Sequence, residues 1–287
     1  MQNWKNLSVR ALEERYDQSK YAANGLEVNQ WYRRQSDAVR SELTPERFQY
    51  GTTPGEYGYW CRPANAGNDI VVFIHGGAWK SGTADDYLFP ARWLTDAGLH
   101  YICLNFDNTP VTGGHLFPMV AQLIKAIVWI GDHYGRQGNK PEIHIASHSS
   151  GSHLAACLGG LDWVTLAPRY PEMICSLLLC SGIYDLEPVS YSKRREYLEL
   201  SPLEIFALSP MRHASNPHLR VAMARAEHES PEFVRQHDEF LAKLGAEGVD
   251  VRAQVGEGLN HFEILQTFDS PEGFLGRLLM ELIGDKR

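Results

Sequence analysis

Apolar positions change period along this chain. From residue 69 onward, short continuous apolar runs alternate with stretches whose apolar residues recur every three to four positions. The runs at 69–74, 101–106, 142–147, 176–180, 221–224 and 249–255 read as strands, several of them buried on both faces. The intervening stretches at 87–97, 117–133, 151–157, 231–244 and 271–283 read as helices. Such alternation predicts an α/β fold, a mostly parallel central sheet with helices on both faces. Two further strands are read at 48–50 and 57–62, with Thr52-Thr53-Pro54-Gly55 as the turn between them. Residues 1–45 are polar with helical spacing and form an N-terminal helical arm, read as packing on the domain, with covering a pocket as the alternative. Residues 46–287 read as one domain, without repeat or linker. The stretch 186–216, rich in charge, proline and aromatics, interrupts the alternation as a cap insertion or as surface helices.

Composition narrows the class. The chain has 287 residues, 44% hydrophobic and 22% charged, which is ordinary for a globular domain with a sizeable core. A formal charge of −8 argues against nucleic acid as a partner, because phosphate binding needs a basic face. The five cysteines form no C-x-x-C pair and read as buried free thiols. The chain opens on polar sequence without a leader pattern, and its longest apolar run, 173–183, is too short to span a bilayer. A cytoplasmic protein without membrane partners is expected, and a homodimer is compatible with the sequence.

The chemistry concentrates at Ser147-His148-Ser149-Ser150-Gly151, where a buried strand turns sharply into a helix. The turn resembles the nucleophile elbow of the α/β-hydrolases, usually G-x-S-x-G, with Ser149 as nucleophile and Ser147 replacing the first glycine. Acyl transfer by serine also needs a base, a carboxylate to orient it, and donors for the oxyanion. His75-Gly76-Gly77-Ala78 follows a buried strand and would supply the N–H groups of Gly76 and Gly77 as donors. The Ser150 N–H, after the nucleophile, would be the third donor. Of twelve histidines, His261 stands between the last strand and the last helix and is chosen as base by position. Glu229, directly before the Ser230-Pro231 helix start, is chosen as acid; Glu227 and Asp185 are the alternatives. His148 is expected to line the pocket and His153 to pack away from it. Trp79, Tyr184 and Trp31 are candidates for stacking on an aromatic leaving group. No H-E-x-x-H or other metal-ligand spacing occurs, so no metal is expected.

These segments together resemble the kynurenine formamidase (arylformamidase) branch of the α/β-hydrolases, near the hormone-sensitive-lipase-like esterases. The resemblance rests on Leu12-Glu13-Glu14-Arg15-Tyr16, His75-Gly76-Gly77-Ala78-Trp79 and the elbow. It extends through Ser181-Gly182-Ile183-Tyr184-Asp185-Leu186, Leu208-Ser209-Pro210, Ser230-Pro231-Glu232-Phe233 with Arg235-Gln236, and Asn260-His261-Phe262. Two positions depart from the family pattern: Ser147 for glycine and Glu229 for aspartate. The resemblance implies a small-molecule partner, an N-formyl arylamine or related amide, cleaved through an acyl-enzyme without a cofactor. A carboxylesterase is the alternative, and a non-catalytic binding protein on a hydrolase fold is a third reading.

Overall fold

The computed structural model describes residues 4–65, 67–136, 138 and 140–284. Residues 1–3, on which the expectation of no leader partly rests, lie outside the described residues. Eight strands form one sheet: β1 (Glu46–Gln49), β2 (Tyr57–Cys61), β3 (Asp69–Ile74), β4 (His100–Leu104), β5 (Glu142–His148), β6 (Ile174–Cys180), β7 (Arg220–His228) and β8 (Asp250–Asn260). Their spatial order is β1-β2-β4-β3-β5-β6-β7-β8. The β1–β2 and β2–β4 pairs are antiparallel, and every pair from β4 through β8 is parallel.

Alternate residues of β3 show why the sheet is covered twice. Ile70, Val72 and Ile74 enter one apolar layer with the helices Phe117–Gly135, Ser150–Gly159 and Pro231–Ala246. Val71 and Phe73 enter the other, with Gly25–Leu43, Ala91–Asp96 and Phe274–Gly284. Successive strand side chains point to opposite faces, so a continuous apolar run needs both layers.

Three details depart from the sequence reading. The helix expected at 87–97 starts only at Ala91, because the Ser36 hydroxyl accepts from the N–H groups of Leu88 (2.9 Å) and Phe89 (3.2 Å) in an irregular segment. The final helix starts at Phe274 rather than 271. Of the cysteines, Cys61, Cys103 and Cys180 are buried, but Cys157 and Cys175 are only partly so; all five are free. Among the described residues, no helix is long and apolar enough to cross a membrane.

Candidate active site

The elbow is built by a turn that a side chain normally avoids. β5 ends at His148, and Ser149 follows at φ 56°, ψ −124°, before the helix Ser150–Gly159. Such a conformation costs about 1–3 kcal/mol and persists only where its surroundings hold it. Here the Ser149 N–H donates to the Cys180 carbonyl at 2.9 Å, and the Ser149 carbonyl accepts from the Ser152 N–H at 3.0 Å. Gly151 admits no larger residue, since a β-carbon would stand 2.2 Å from the Ile74 carbonyl oxygen. Ser147 fits where glycine was expected: its Oγ lies 3.0 Å from the Leu178 carbonyl and 3.1 Å from the Ser152 hydroxyl.

His261 stands directly after β8, with Nε2 3.0 Å from Ser149 Oγ. Glu229 stands directly after β7, and its Oε2 lies 3.4 Å from His261 Nδ1. The β7–β8 register shifts between Ala226 and His228, just before this carboxylate. Glu229 Oε1 accepts from the Ser181 hydroxyl and from the Ala226 N–H, the latter at 3.1 Å. Burial alone would raise the Glu229 pKa, but the His261 ring and these donors outweigh it and hold the carboxyl below its usual range. The competing acids lie elsewhere. Glu227 is exposed and accepts the Gly258 N–H at 2.7 Å, bracing β7 to β8. Asp185 caps the helix Leu186–Ser190 and pairs with Arg212 at 3.0 Å.

A further residue touches this pair that sequence reasoning missed. Gln18, from the N-terminal arm, places Nε2 3.1 Å from His261 Nδ1 and 3.3 Å from Glu229 Oε2. Its only sequence signal is proximity to the Glu14-Arg15-Tyr16 segment. Arg15 pairs with Glu232 at 3.2 Å, and Tyr16 accepts from Gln236 at 2.8 Å. The distinctive segment Ser230–Gln236 is therefore the seat of the arm.

The glycine loop approaches Ser149 from β3. Gly77, Ala78 and Trp79 all have positive φ, and a β-carbon on Gly77 would lie 2.0 Å from the Ser81 carbonyl oxygen. Gly76 packs against the elbow, where a β-carbon would sit 3.0 Å from Ser149 Cβ. The Trp79 N–H donates to Ser150 Oγ at 3.1 Å, tying loop to elbow. Gly77 and Ala78 border the cavity beside Ser149. Ala78 is a cavity residue that the glycine pattern did not single out.

That cavity has a volume of about 990 Å³. Its walls include Tyr16 and Gln18 of the arm, Tyr32 of the helix Gly25–Leu43, Phe233, and Arg194 and Tyr197 of the 186–216 stretch. The arm thus does more than pack: Gly25–Leu43 packs on the sheet and also borders the cavity, and Glu13, Glu14 and residues 16–19 line it.

The three residues expected to stack on a leaving group are corrected. Trp79 is buried against His153, and Tyr184 is buried with its ring stacked on Phe240 at 4.2 Å. Trp31 packs edge-on against Phe89. None of the three borders the cavity; all are drawn into apolar packing. His148 does border it and donates Nε2–H to the His261 carbonyl at 2.8 Å. Burial, then the neighbouring His261, lowers the His148 pKa to about 3, so its ring is neutral. His75 is sandwiched between Tyr87 and Phe106 and lowered by burial to about 4. Among the described residues, no three His, Cys, Asp or Glu side chains cluster as metal ligands.

The sheet order and the elbow define an α/β-hydrolase. Solved structures with this architecture include a putative thioesterase from Silicibacter sp. TM1040, with TM-score 0.81 and 18% identity, covering 94% of this chain and 98% of that one. Another is the esterase LipW from Mycobacterium marinum, with TM-score 0.68 and 16% identity, covering 99% and 95%. In sequence the chain is kynurenine formamidase-like throughout. It is 26% identical over 301 residues to the kynurenine formamidase of Danio rerio, with 99% of each chain covered. It is 26% identical over 311 residues to that of Salmo salar, again with 99% of each covered. The family model described as BD-FAE matches residues 59–165.

Proposed function

We propose that this chain is a serine hydrolase that cleaves an N-formyl arylamine or a related amide through an acyl-enzyme. The observation that carries this reading is the 3.0 Å approach of His261 Nε2 to Ser149 Oγ beside a cavity large enough for an aromatic amino-acid derivative. His261 takes the Ser149 proton as the hydroxyl attacks the acyl carbon. The N–H groups of Gly76, Gly77 and Ser150 receive the charge that develops on the oxygen. His261 returns the proton to the leaving amine, and water releases the acyl group by the same route. Glu229 holds the ring with its hydrogen on Nδ1, and the bond from His148 to the His261 carbonyl steadies the backbone behind it.

Full-length similarity to kynurenine formamidases favours a formamide over a simple ester. The cavity wall agrees. Of its carboxylates, Glu13, Glu14 and Asp86 are engaged by Arg195, Arg10 and Arg33, Asp17 accepts from the N–H and hydroxyl of Ser19, and Glu196 is exposed. Lys80, Lys193 and Arg194 have no carboxylate within ion-pair distance among the described residues, which suits a substrate with an anionic end.

The test is hydrolysis of N-formyl-kynurenine beside p-nitrophenyl acetate, with Ser149→Ala and His261→Ala as controls. Preference for the formamide, lost in both variants, is expected. Ester cleavage alone would move the function to a carboxylesterase. No turnover and no fluorophosphonate labelling of Ser149 would leave a binding protein.

A further inference from the structure

The orientation of Gln18 can be fixed from its partners. The Ser230 N–H has one hydrogen, and it points at a terminal atom of the Gln18 amide 3.0 Å away. That atom must be the oxygen, so the amide NH₂ faces the carboxylate and the ring. Gln18 is itself buried, at 9% exposure, so these contacts are made away from bulk water.

Glu229 has two oxygens to place. Oε1 is held by Ser181 and Ala226. Oε2 is shared between His261 Nδ1 at 3.4 Å and Gln18 Nε2 at 3.3 Å. When His261 carries its hydrogen on Nδ1, as a base for Ser149 must, that hydrogen and the Gln18 amide converge on the same oxygen. Gln18 thereby limits the rotation of the carboxylate about its last bond. This matters more for a glutamate than for a shorter aspartate, because the extra methylene adds a torsion to restrain. The amide comes from a segment more than two hundred residues away in sequence, held by Arg15 on Glu232 and Tyr16 on Gln236.

From this geometry we infer that Gln18 is a positioning residue for the reaction, acting through Glu229 to hold His261 in line with Ser149. The inference rests on the proposed roles of those three residues.

The experiment compares steady-state kinetics of Gln18→Met, close in size but without the amide, in the wild-type and Glu229→Gln backgrounds. In the wild-type background, kcat should fall on the order of tenfold to a hundredfold, as for other small misplacements of a reacting group, with KM little changed. In the Glu229→Gln background, Gln18→Met should add little, because its partner is already impaired. Multiplicative losses in the two backgrounds would overturn the proposal, as would an unchanged kcat. Arg15→Met loosens the arm but leaves Tyr16 on Gln236 and Gln18 on the Ser230 N–H, so its loss should be smaller than that of Gln18→Met; an equal loss would assign the effect to arm docking and overturn the proposal too. If Gln18→Met does not fold, Gln18→Glu keeps an acceptor for Ser230 but sets a second carboxylate beside Glu229. Its kcat should fall at least as far, and retention of wild-type kcat would overturn the proposal. Full activity in Ser149→Ala would instead remove the triad reading itself, whereas a dead Ser149→Ala with an unaffected Gln18→Met would remove Gln18 alone.

Discussion

The Trp79 indole N–H donates to His153 Nδ1 at 3.2 Å, with the two rings edge to face and their centroids 5.3 Å apart. His153 passes the connection on, donating Nε2–H to the Leu208 carbonyl at 2.6 Å. One chain of hydrogen bonds therefore joins the glycine loop, the elbow helix and the 186–216 stretch. Burial lowers the His153 pKa to about 4, so the ring is neutral, as one donor and one acceptor nitrogen require.

Trp79→Phe keeps an aromatic ring but leaves His153 Nδ1 buried without a donor. The expected cost is about 1–3 kcal/mol of stability, read from the urea midpoint. Turnover should fall as well, because Gly77 and Ala78 are held by the same loop. An unchanged midpoint would show that the indole N–H contributes nothing.

Acid should unfold the protein early. Burial is the main cause that lowers His75, His100, His153 and His237 from the ordinary 6.5 to about 4, and His148 to about 3. Between those values the unfolded chain binds protons that the folded chain refuses, so stability falls as pH falls below 6.5. Well inside that window each group removes about 1.4 kcal/mol per pH unit. Glu229 adds to the loss at lower pH: its folded pKa is depressed, so its contribution is present above the unfolded value and disappears as pH falls through the folded one. The urea midpoint at about pH 5 should lie clearly below that at about pH 7.5; equal midpoints would contradict the buried neutral histidines.

The parallel sheet was legible because runs such as Val71-Val72-Phe73-Ile74 are buried on both faces, and such runs announce themselves without tertiary information. Ser149 and His261 were legible because the fold fixes them by position: one at a strand-to-helix turn, the other after the last strand. Gln18 was not, since nothing local distinguishes a polar residue that points at a distant ring from one that points at water. Trp79 and Tyr184 misled for a related reason. Ala78 and Lys80, on either side of Trp79, border the cavity, but packing against His153 and Phe240 turns the Trp79 and Tyr184 rings inward. Ser147 marks the opposite case, a broken pattern without structural penalty, because the Leu178 carbonyl satisfies its hydroxyl.

Arg194 is a cavity cation that lies over two rings beside His261. Its guanidinium lies 5.1 Å from the Tyr16 ring centroid and 5.8 Å from that of Phe233, which itself meets His261 edge-on at 5.0 Å. A carboxylate-bearing substrate would gain a charge-assisted contact there, about 1.5–3 kcal/mol, or roughly tenfold to a hundredfold in kcat/KM. Arg194→Met should lose that factor toward N-formyl-kynurenine and lose little toward uncharged p-nitrophenyl acetate. Arg194→Lys should restore part of it. Equal losses on both substrates would mean that Arg194 serves packing rather than charge recognition.

The choice of acid is the sharpest test of the site. Glu229 and Glu227 are two residues apart, and plain strand alternation would put them on one face, but the register shift before His228 and the end of β7 there send them to different surroundings. Glu229 is buried against His261, and Glu227 is exposed on the Gly258 N–H. Glu229→Gln keeps size while removing the charge that favours the Nδ1 tautomer and stabilises the imidazolium. The loss in kcat should therefore be large, on the order of a thousandfold to ten-thousandfold as for other orienting carboxylates. It should be accompanied by slower fluorophosphonate labelling of Ser149. Glu227→Gln should leave kcat near wild type, because an amide oxygen can still accept the Gly258 N–H. A larger loss from Glu227→Gln than from Glu229→Gln would move the acid to Glu227 and would require a rearrangement of the β7–β8 end before catalysis.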